Sequence, residues 1–315
     1  MKISVIVPCY NSSGTIQELV ELSIEELEKL PVDSYEFVLV NDFSKNKETI
    51  ETLIRLSERY PFVKVLDLAK NFGQANAQLA ALNYATGDYI INMDDDMQTH
   101  PKNIPILFNK IQEGYDLVLA KYKQKKHRFY RRLLTKMGDR FDELCLDRPR
   151  HMQFTSFWIC RKYVRDELIR YHYPYSYMEG LFLRTTRNIA NVEVEHFART
   201  VGASGYNLKK LVKLWSNFTN FTVLPLRIAG VAGGIFAGAG LILSIIFIIR
   251  AGCFGFLPVD CFMSIVGLLL LFFGITLIAI GIMGEYVGRS FLCINQSPQY
   301  VVRQTYNVEN KEGED

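Results

Sequence analysis

Three consecutive aspartates, Asp94, Asp95 and Asp96, stand directly after an apolar run at residues 89–93, and Asp42 stands just after a second run at residues 36–40. Adjacent carboxylates repel one another and are costly to bury uncompensated, so a cation is the simplest counterweight. Side chains alternate along an extended chain, which puts Asp94 and Asp96 on one face, joined by Gln98 if the extension persists. Oxygen ligands of this kind suit Mg²⁺ or Mn²⁺, the ions that accompany a diphosphate. A plainer reading also fits: an acidic surface loop that caps the next helix, since Thr99 and Pro101 follow. Pro8, Tyr10 and Asn11 lie just past a third apolar run, in a turn, PCYNSSG, that contains neither GxGxxG nor GxxxxGK[ST]. Phosphate must then be held by other means.

The elements that would bring these residues together alternate. Residues 3–7, 36–40, 63–68, 89–93 and 117–120 read as strands; between them, residues 47–59, 73–85 and 101–113 read as helices. Thr15 and Glu18 form a capping box that opens a further helix running to Leu30. Strand and helix in regular succession predict an α/β fold with an open, mostly parallel, doubly wound sheet. In such a sheet the ligand sits at the carboxyl ends of the strands near the point where strand order reverses, which gathers Pro8, Tyr10, Asn11, Asp42 and the aspartate triplet into one site.

Beyond about residue 207 the character changes. Among the 315 residues, 49% are hydrophobic, and residues 228–249 and 261–283 contain no charged side chain. Each run would span roughly 33 Å as a helix, enough for a hydrocarbon core of about 30 Å, so two transmembrane helices are expected, with glycines at close-packing positions. The basic residues Lys209, Lys210, Lys213 and Arg227 precede the first run, which orients the amino-terminal domain to the cytoplasm; the opening residues are too short an apolar run for a signal peptide. The six cysteines lack metal-type spacing and read as free thiols. Leu208, Leu211, Val212, Trp215 and Phe218 fall at helical spacing, the pattern of an amphipathic helix at the bilayer interface or packed on the soluble domain. The basic, aromatic-rich residues 121–136 fit anionic lipid or a solvated helix face; on a membrane-bound chain of net charge +3, nucleic acid is not expected. The expected domains are residues 1–206, a juxtamembrane helix at 207–227, the membrane pair at 228–283 and a cytoplasmic segment at 284–315.

VIVPCYN, VLVNDFS and MDDDMQTHP resemble the motifs of family-two glycosyltransferases with the GT-A fold. NFGQANAQLAALNYATGDYI, the membrane pair, GEYVGRSF and SPQYVV resemble more narrowly the polyisoprenyl-phosphate glycosyltransferases. The resemblance implies that Asp42 contacts the nucleoside beside Pro8, Tyr10 and Asn11, that Asp94 and Asp95 bind the nucleotide, and that Asp94 and Asp96 hold its Mg²⁺ or Mn²⁺, with Gln98 completing the metal shell. Arg199 in RTVGASGY matches the arginine of RxxGxSKY, whose lysine is replaced here by Gly205. Where the family carries a catalytic aspartate this chain has Ser156, which cannot act as a base. A phosphate acceptor, largely anionic near neutral pH because its second pKa is about 6, needs little help from one; for a hydroxyl acceptor, Glu179 is the nearest carboxylate. The implied activity is inverting transfer from a nucleotide-sugar, UDP-linked ahead of GDP-linked, to polyprenyl (undecaprenyl) phosphate at the cytoplasmic membrane, by a multi-pass protein compatible with homo-oligomerisation. Transfer to a hydroxyl of a lipid-linked glycan and a non-catalytic nucleotide-sugar-binding protein are the alternatives.

Overall fold

Residues 3–9, an apolar run, form the inner part of strand β1 (Lys2–Cys9) and are all buried, as required of a strand covered on both faces. Around it the computed structural model, which describes residues 1–122, 149, 152–173, 176–195, 258–295 and 297–308, places α1 (Ile16–Leu27), β2 (Ser34–Asn41), α2 (Lys47–Arg59), β3 (Val63–Leu68), α3 (Gln74–Tyr84) and β4 (Tyr89–Asn92). A single 3-10 turn, Pro101–Asn103, leads into α4 (Ile104–Gln112); β5 (Leu117–Tyr122), β6 (Trp158–Arg161), α5 (Lys162–Leu168), α6 (Met178–Thr185) and β7 (Ile189–Val194) follow. After α7 (Pro258–Ile294) the chain forms β8 (Val302–Tyr306).

The strands make one sheet in the order β7-β5-β6-β4-β1-β2-β3-β8. β1 is parallel to both β2 and β4, β2 to β3, and β5 to β7; β6 is antiparallel to β4 and β5, and β8 to β3. The expected mostly parallel α/β sheet is therefore present. Strand order reverses at β1, with β2 on one side and β4 on the other, and that switch point fixes where a ligand crevice opens. β6, β7 and β8 were not expected from the sequence. Trp158 on β6 is wholly buried and packs edge-on to Phe182 of α6, with ring centroids 5.1 Å apart.

Local details depart from expectation for tertiary reasons. α2 begins as predicted, with the Asn46 side chain accepting from Glu48 N at 3.0 Å. α1 starts after Thr15, but the Thr15 hydroxyl does not cap it; it donates instead to the carbonyls of Asp95, at 2.5 Å, and Ser12. The capping box is thus diverted into a contact between two loops.

Contacts divide the chain into two compact units, Met1–Asn207 with Ser297–Asp315, and Leu208–Gln296. Among the described residues no helix satisfies both the length and the apolarity of a membrane span. α7 is nevertheless 37 residues long and includes the uncharged stretch 261–283, many of whose side chains are not described, so its membrane reading rests on the sequence. The amphipathic stretch from residue 207, the apolar run 228–249, Arg199, Gly205 and nearly all of the basic run lie outside the described residues.

At the amino-terminal end of the sheet, Glu36 is buried beneath the Lys2 ammonium at 2.7 Å and that of Lys64 at 3.0 Å, and it also accepts from Ser4 Oγ and Thr86 N. Gly87 is required nearby, since a Cβ there would stand 2.7 Å from Ser4 N. Burial alone would raise the Glu36 pKa, but the bonds from Lys2, Ser4, Thr86 and Lys64 outweigh it and hold the value at about 2. A depressed carboxyl contributes stability above its unfolded pKa and loses it as pH falls through the folded one, about 3 kcal/mol here. Glu36→Gln is accordingly expected to lose stability of that order at neutral pH and to flatten the acid limb, measured by urea unfolding of the full chain in detergent at several pH values. An unchanged limb would exclude this role.

Candidate active site

Hydrogen bonds join the carboxyl ends of β1, β2 and β4. Asp42 N donates to Cys9 O at 3.0 Å, joining the ends of β2 and β1, and Tyr10 N donates to Asp95 Oδ2 at 2.8 Å, joining β1 to the loop after β4. Three of the four non-glycine residues with positive φ among those described, Asn11 (56°), Phe43 (54°) and Met97 (60°), lie in these loops. Left-handed backbone outside glycine is uncommon and clusters at functional sites. Tyr10 and Phe43 are both exposed there, at 43% and 45%, and Pro8 is buried within β1. Phe43 was missed in the sequence, where nothing marks its backbone conformation.

Asp42 is almost wholly buried, and both its oxygens are engaged, Oδ1 by Phe72 N at 2.7 Å and Oδ2 by Gly73 N at 2.9 Å. Burial raises its pKa, and the two amide bonds offset part of that rise. The carboxylate expected to meet a nucleoside therefore also shapes the loop between β3 and α3, whose turn needs Gly73 at φ 86°.

The aspartate triplet separates into different tasks. The strand ends at Asn92, and the backbone turns through Asp95 and Asp96 to Met97, so the extended geometry invoked to bring Gln98 onto the same face does not persist. Gln98 is held instead by its N–H, which donates to Asp96 Oδ1 at 3.1 Å. Asp95 faces the β1 loop and has its pKa raised by burial, with bonds from Tyr10 N and Ser12 opposing. Asp94 accepts from Gln74 Nε2 at 2.7 Å and from Ser156 Oγ. Burial pushes Asp94 up to about 6; the Ser156 bond opposes this, Asp96 and Asp95 add to it, and Gln74 opposes it. Burial, then Asp94 and Asp96, also push up the phenol of Tyr122 at the end of β5.

A carboxyl raised chiefly by burial, with two further carboxylates beside it, is a place where a divalent cation fits. Among the described residues no three His, Cys, Asp or Glu side chains gather as a metal cage. One or two carboxylates without a cage are how Mg²⁺ is held when substrate phosphates supply further ligands.

Ser156 reaches Asp94 because β6 runs back alongside β4, pairing Trp158 with Asn92, and the Asn92 side-chain amide donates to Ser156 O. At the position where a base was sought, the chain thus carries a hydrogen-bond donor that favours the ionised form of Asp94. Gln74, in the first turn of α3, is a second such donor that sequence reasoning did not single out. Glu179 lies in the first turn of α6 and accepts from Tyr177 Oη at 2.7 Å.

Protonation of Asp94 competes with cation binding, so Mn²⁺ affinity should fall as pH drops through about 6. Removing one donated hydrogen bond, worth about 1 kcal/mol, in Ser156→Ala should move that fall upward by up to about one pH unit. Mn²⁺ titrations of the full chain in detergent, from acid to mildly alkaline pH, measure both. Affinity independent of pH would refute the assignment.

Residues 4–169 match the sequence profile of Glycosyl transferase family 2. The chain is 28% identical to an undecaprenyl-phosphate 4-deoxy-4-formamido-L-arabinose transferase of Proteus mirabilis (strain HI4320), over 98% of this chain and 94% of that protein. It is 31% identical to the uncharacterized glycosyltransferase YkcC of Bacillus subtilis (strain 168), over 98% of this chain and 95% of that protein. Among solved structures, glucosyl-3-phosphoglycerate synthase from Mycobacterium tuberculosis, in complex with phosphoglyceric acid, matches with TM-score 0.50 and 17% identity, over 70% of this chain and 80% of that one, a likeness of fold. With a GT-A-like sheet, an acidic switch point and these relatives, the chain belongs to glycosyl transferase family 2.

Proposed function

We propose that the protein transfers a sugar from a nucleotide-sugar to a polyprenyl phosphate, undecaprenyl phosphate by analogy with its relatives, at the cytoplasmic face of a membrane. The observation that carries this is the Asp94–Asp96 acidic pair at the carboxyl end of β4, in a chain that aligns from end to end with an undecaprenyl-phosphate sugar transferase. Asp94 and Asp96 would hold Mg²⁺ or Mn²⁺. The bound ion would neutralise charge developing on the departing nucleoside diphosphate. Asp42 and Asp95 set the loops around the nucleotide; Pro8, Tyr10 and Asn11 wall it, with Phe43 beside them, and Arg199 meets phosphate.

The chemistry is a single displacement. A phosphate oxygen of the acceptor forms a bond to the anomeric carbon as the bond from that carbon to the diphosphate oxygen breaks, which inverts the configuration. The acceptor phosphate is already anionic, so Ser156 can serve Asp94 rather than act on the nucleophile, and Glu179 is not required as a base. The uncharged runs 228–249 and 261–283, the second within α7, are read as the membrane pair that keeps the domain beside a lipid acceptor.

Membranes containing the protein, supplied with Mg²⁺ or Mn²⁺, undecaprenyl phosphate and a panel of UDP- and GDP-sugars, are expected to convert one donor into a lipid heavier by one sugar, detected by mass spectrometry. Sugar found only on an existing glycan, or no turnover with any donor, defeats the assignment. Asp96→Asn is expected to abolish transfer while leaving the protein folded; full activity of that variant in EDTA would remove the metal from the scheme. Glu179→Gln should lower the rate less than tenfold, whereas a loss of about a hundredfold or more, the scale of general-base removal, indicates a hydroxyl acceptor.

A further inference from the structure

Sequence reading left SPQYVV without a task. In the structure this stretch leads into β8, and it bonds to Ala69 at the start of the β3–α3 loop and to Tyr171, Tyr173 and Ser176. β8 pairs with β3 through an irregular register: Gln304 lies opposite Asp67 and Val302 opposite Leu68, which leaves Arg303 as the bulged residue. Bulges re-aim a side chain. Arg303 Nε donates to Asp67 Oδ2 at 2.9 Å, and its Nη2 donates to the same oxygen.

From Asp67 the bonds run inward. Asp67 Oδ1 accepts from Asn41 Nδ2 at 2.8 Å; Asn41 Oδ1 accepts from Ser44 N at 3.1 Å; Ser44 Oγ accepts from Asn11 N at 3.0 Å. Asn11 and Phe43, the left-handed residues after β1 and β2, are thereby tied to Arg303. A second chain starts at Gln299, which is 6% exposed. Its Nε2 lies 3.0 Å from Ser176 Oγ; Ser176 Oγ donates to Asn76 Oδ1 at 2.6 Å; Asn76 Nδ2 donates to Phe72 O at 3.0 Å. Phe72 N is one of the two donors to Asp42. Between the two chains, Val301 O accepts from Ala69 N at 2.9 Å.

We propose that residues 299–303 form a positioning strap for the donor pocket, with Arg303 as the positioning residue that sets the Asn11–Phe43 rim through Asp67, Asn41 and Ser44. The proposal rests on the nucleotide-sugar reading above. Arg303 touches no reacting atom. It compensates a buried carboxylate whose other oxygen fixes the end of β2, so its loss shifts the rim on which the nucleotide lies. Lysine keeps the charge but loses the guanidinium's two-donor contact with Asp67.

The test uses the full chain in detergent with UDP as probe, or GDP where UDP does not bind, each with Mn²⁺, titrated calorimetrically beside thermal unfolding. Arg303→Gln is expected to weaken nucleotide binding about tenfold and Arg303→Lys less than about threefold, within the range of charge-assisted hydrogen bonds. Ser44→Ala should weaken it several-fold, and the Arg303→Gln/Ser44→Ala pair no further than about twofold beyond the worse single variant, because neighbours in one network are not additive. Donor KM should rise with these losses while kcat at saturating donor and KM for the lipid phosphate stay within about twofold, a split that a smaller folded fraction does not produce. Wild type binding neither nucleotide overturns the nucleotide-sugar reading and the strap with it. Wild type binding while the Arg303→Gln variant binds equally well, or the pair losing the full product of both single effects, overturns the strap alone. If Arg303→Gln does not fold, Ser44→Ala, which strands no buried charge, decides: unchanged affinity there overturns the proposal.

Discussion

The site is organised by a local excess of negative charge, three successive carboxylates at the end of one buried strand. A regular strand would leave two of them side by side. The backbone instead turns at once, through a left-handed Met97, so that Asp95 is directed to the β1 loop, Asp94 to Ser156 and Gln74, and Asp96 to the amide of Gln98. Burial, with Asp96 and Asp95 adding to it, keeps Asp94 near 6.

The antiparallel strand in an otherwise parallel region follows from the same demand. A parallel β6 would present the start of the strand at the opposite end of the sheet. Running back beside β4, it brings the residues before Trp158 to the carboxyl end of β4, where Ser156 reaches Asp94. One bond thus connects chain direction, a hydroxyl and the charge state of an acid.

Legibility of the sequence divides along the same physical lines. β1 to β5 and α1 to α4 were readable because each is a local apolar or amphipathic run, and the acidic residues at the strand ends could be placed by the rule for parallel sheets. β6 is four residues, WICR, and β8 is VRQTY, too short or too polar to signal a strand without the partner that pairs them. Thr15 read as a helix cap because its hydroxyl and the following Glu18 have that pattern locally; the Asp95 carbonyl, 80 positions away, takes the proton instead. Gln98 was placed by assuming that extension continued, which a left-handed residue interrupts. Gln74 and Phe43 gave no signal, since the role of one depends on where α3 begins against β4 and that of the other on backbone conformation.

Glu36 and Asp94 make the functional argument by contrast. Both are carboxyls held in one sheet, and desolvation raises the pKa of each. At the amino end Glu36 meets two ammonium groups, a hydroxyl and an amide, and falls to about 2. At the carboxyl end Asp94 meets a hydroxyl and an amide but also two further acids, and rises to about 6. Among the described residues two ammonium groups balance Glu36, whereas those acting on Asp94 are a hydroxyl, an amide and two acids. That contrast favours a divalent cation beside Asp94 rather than beside Glu36.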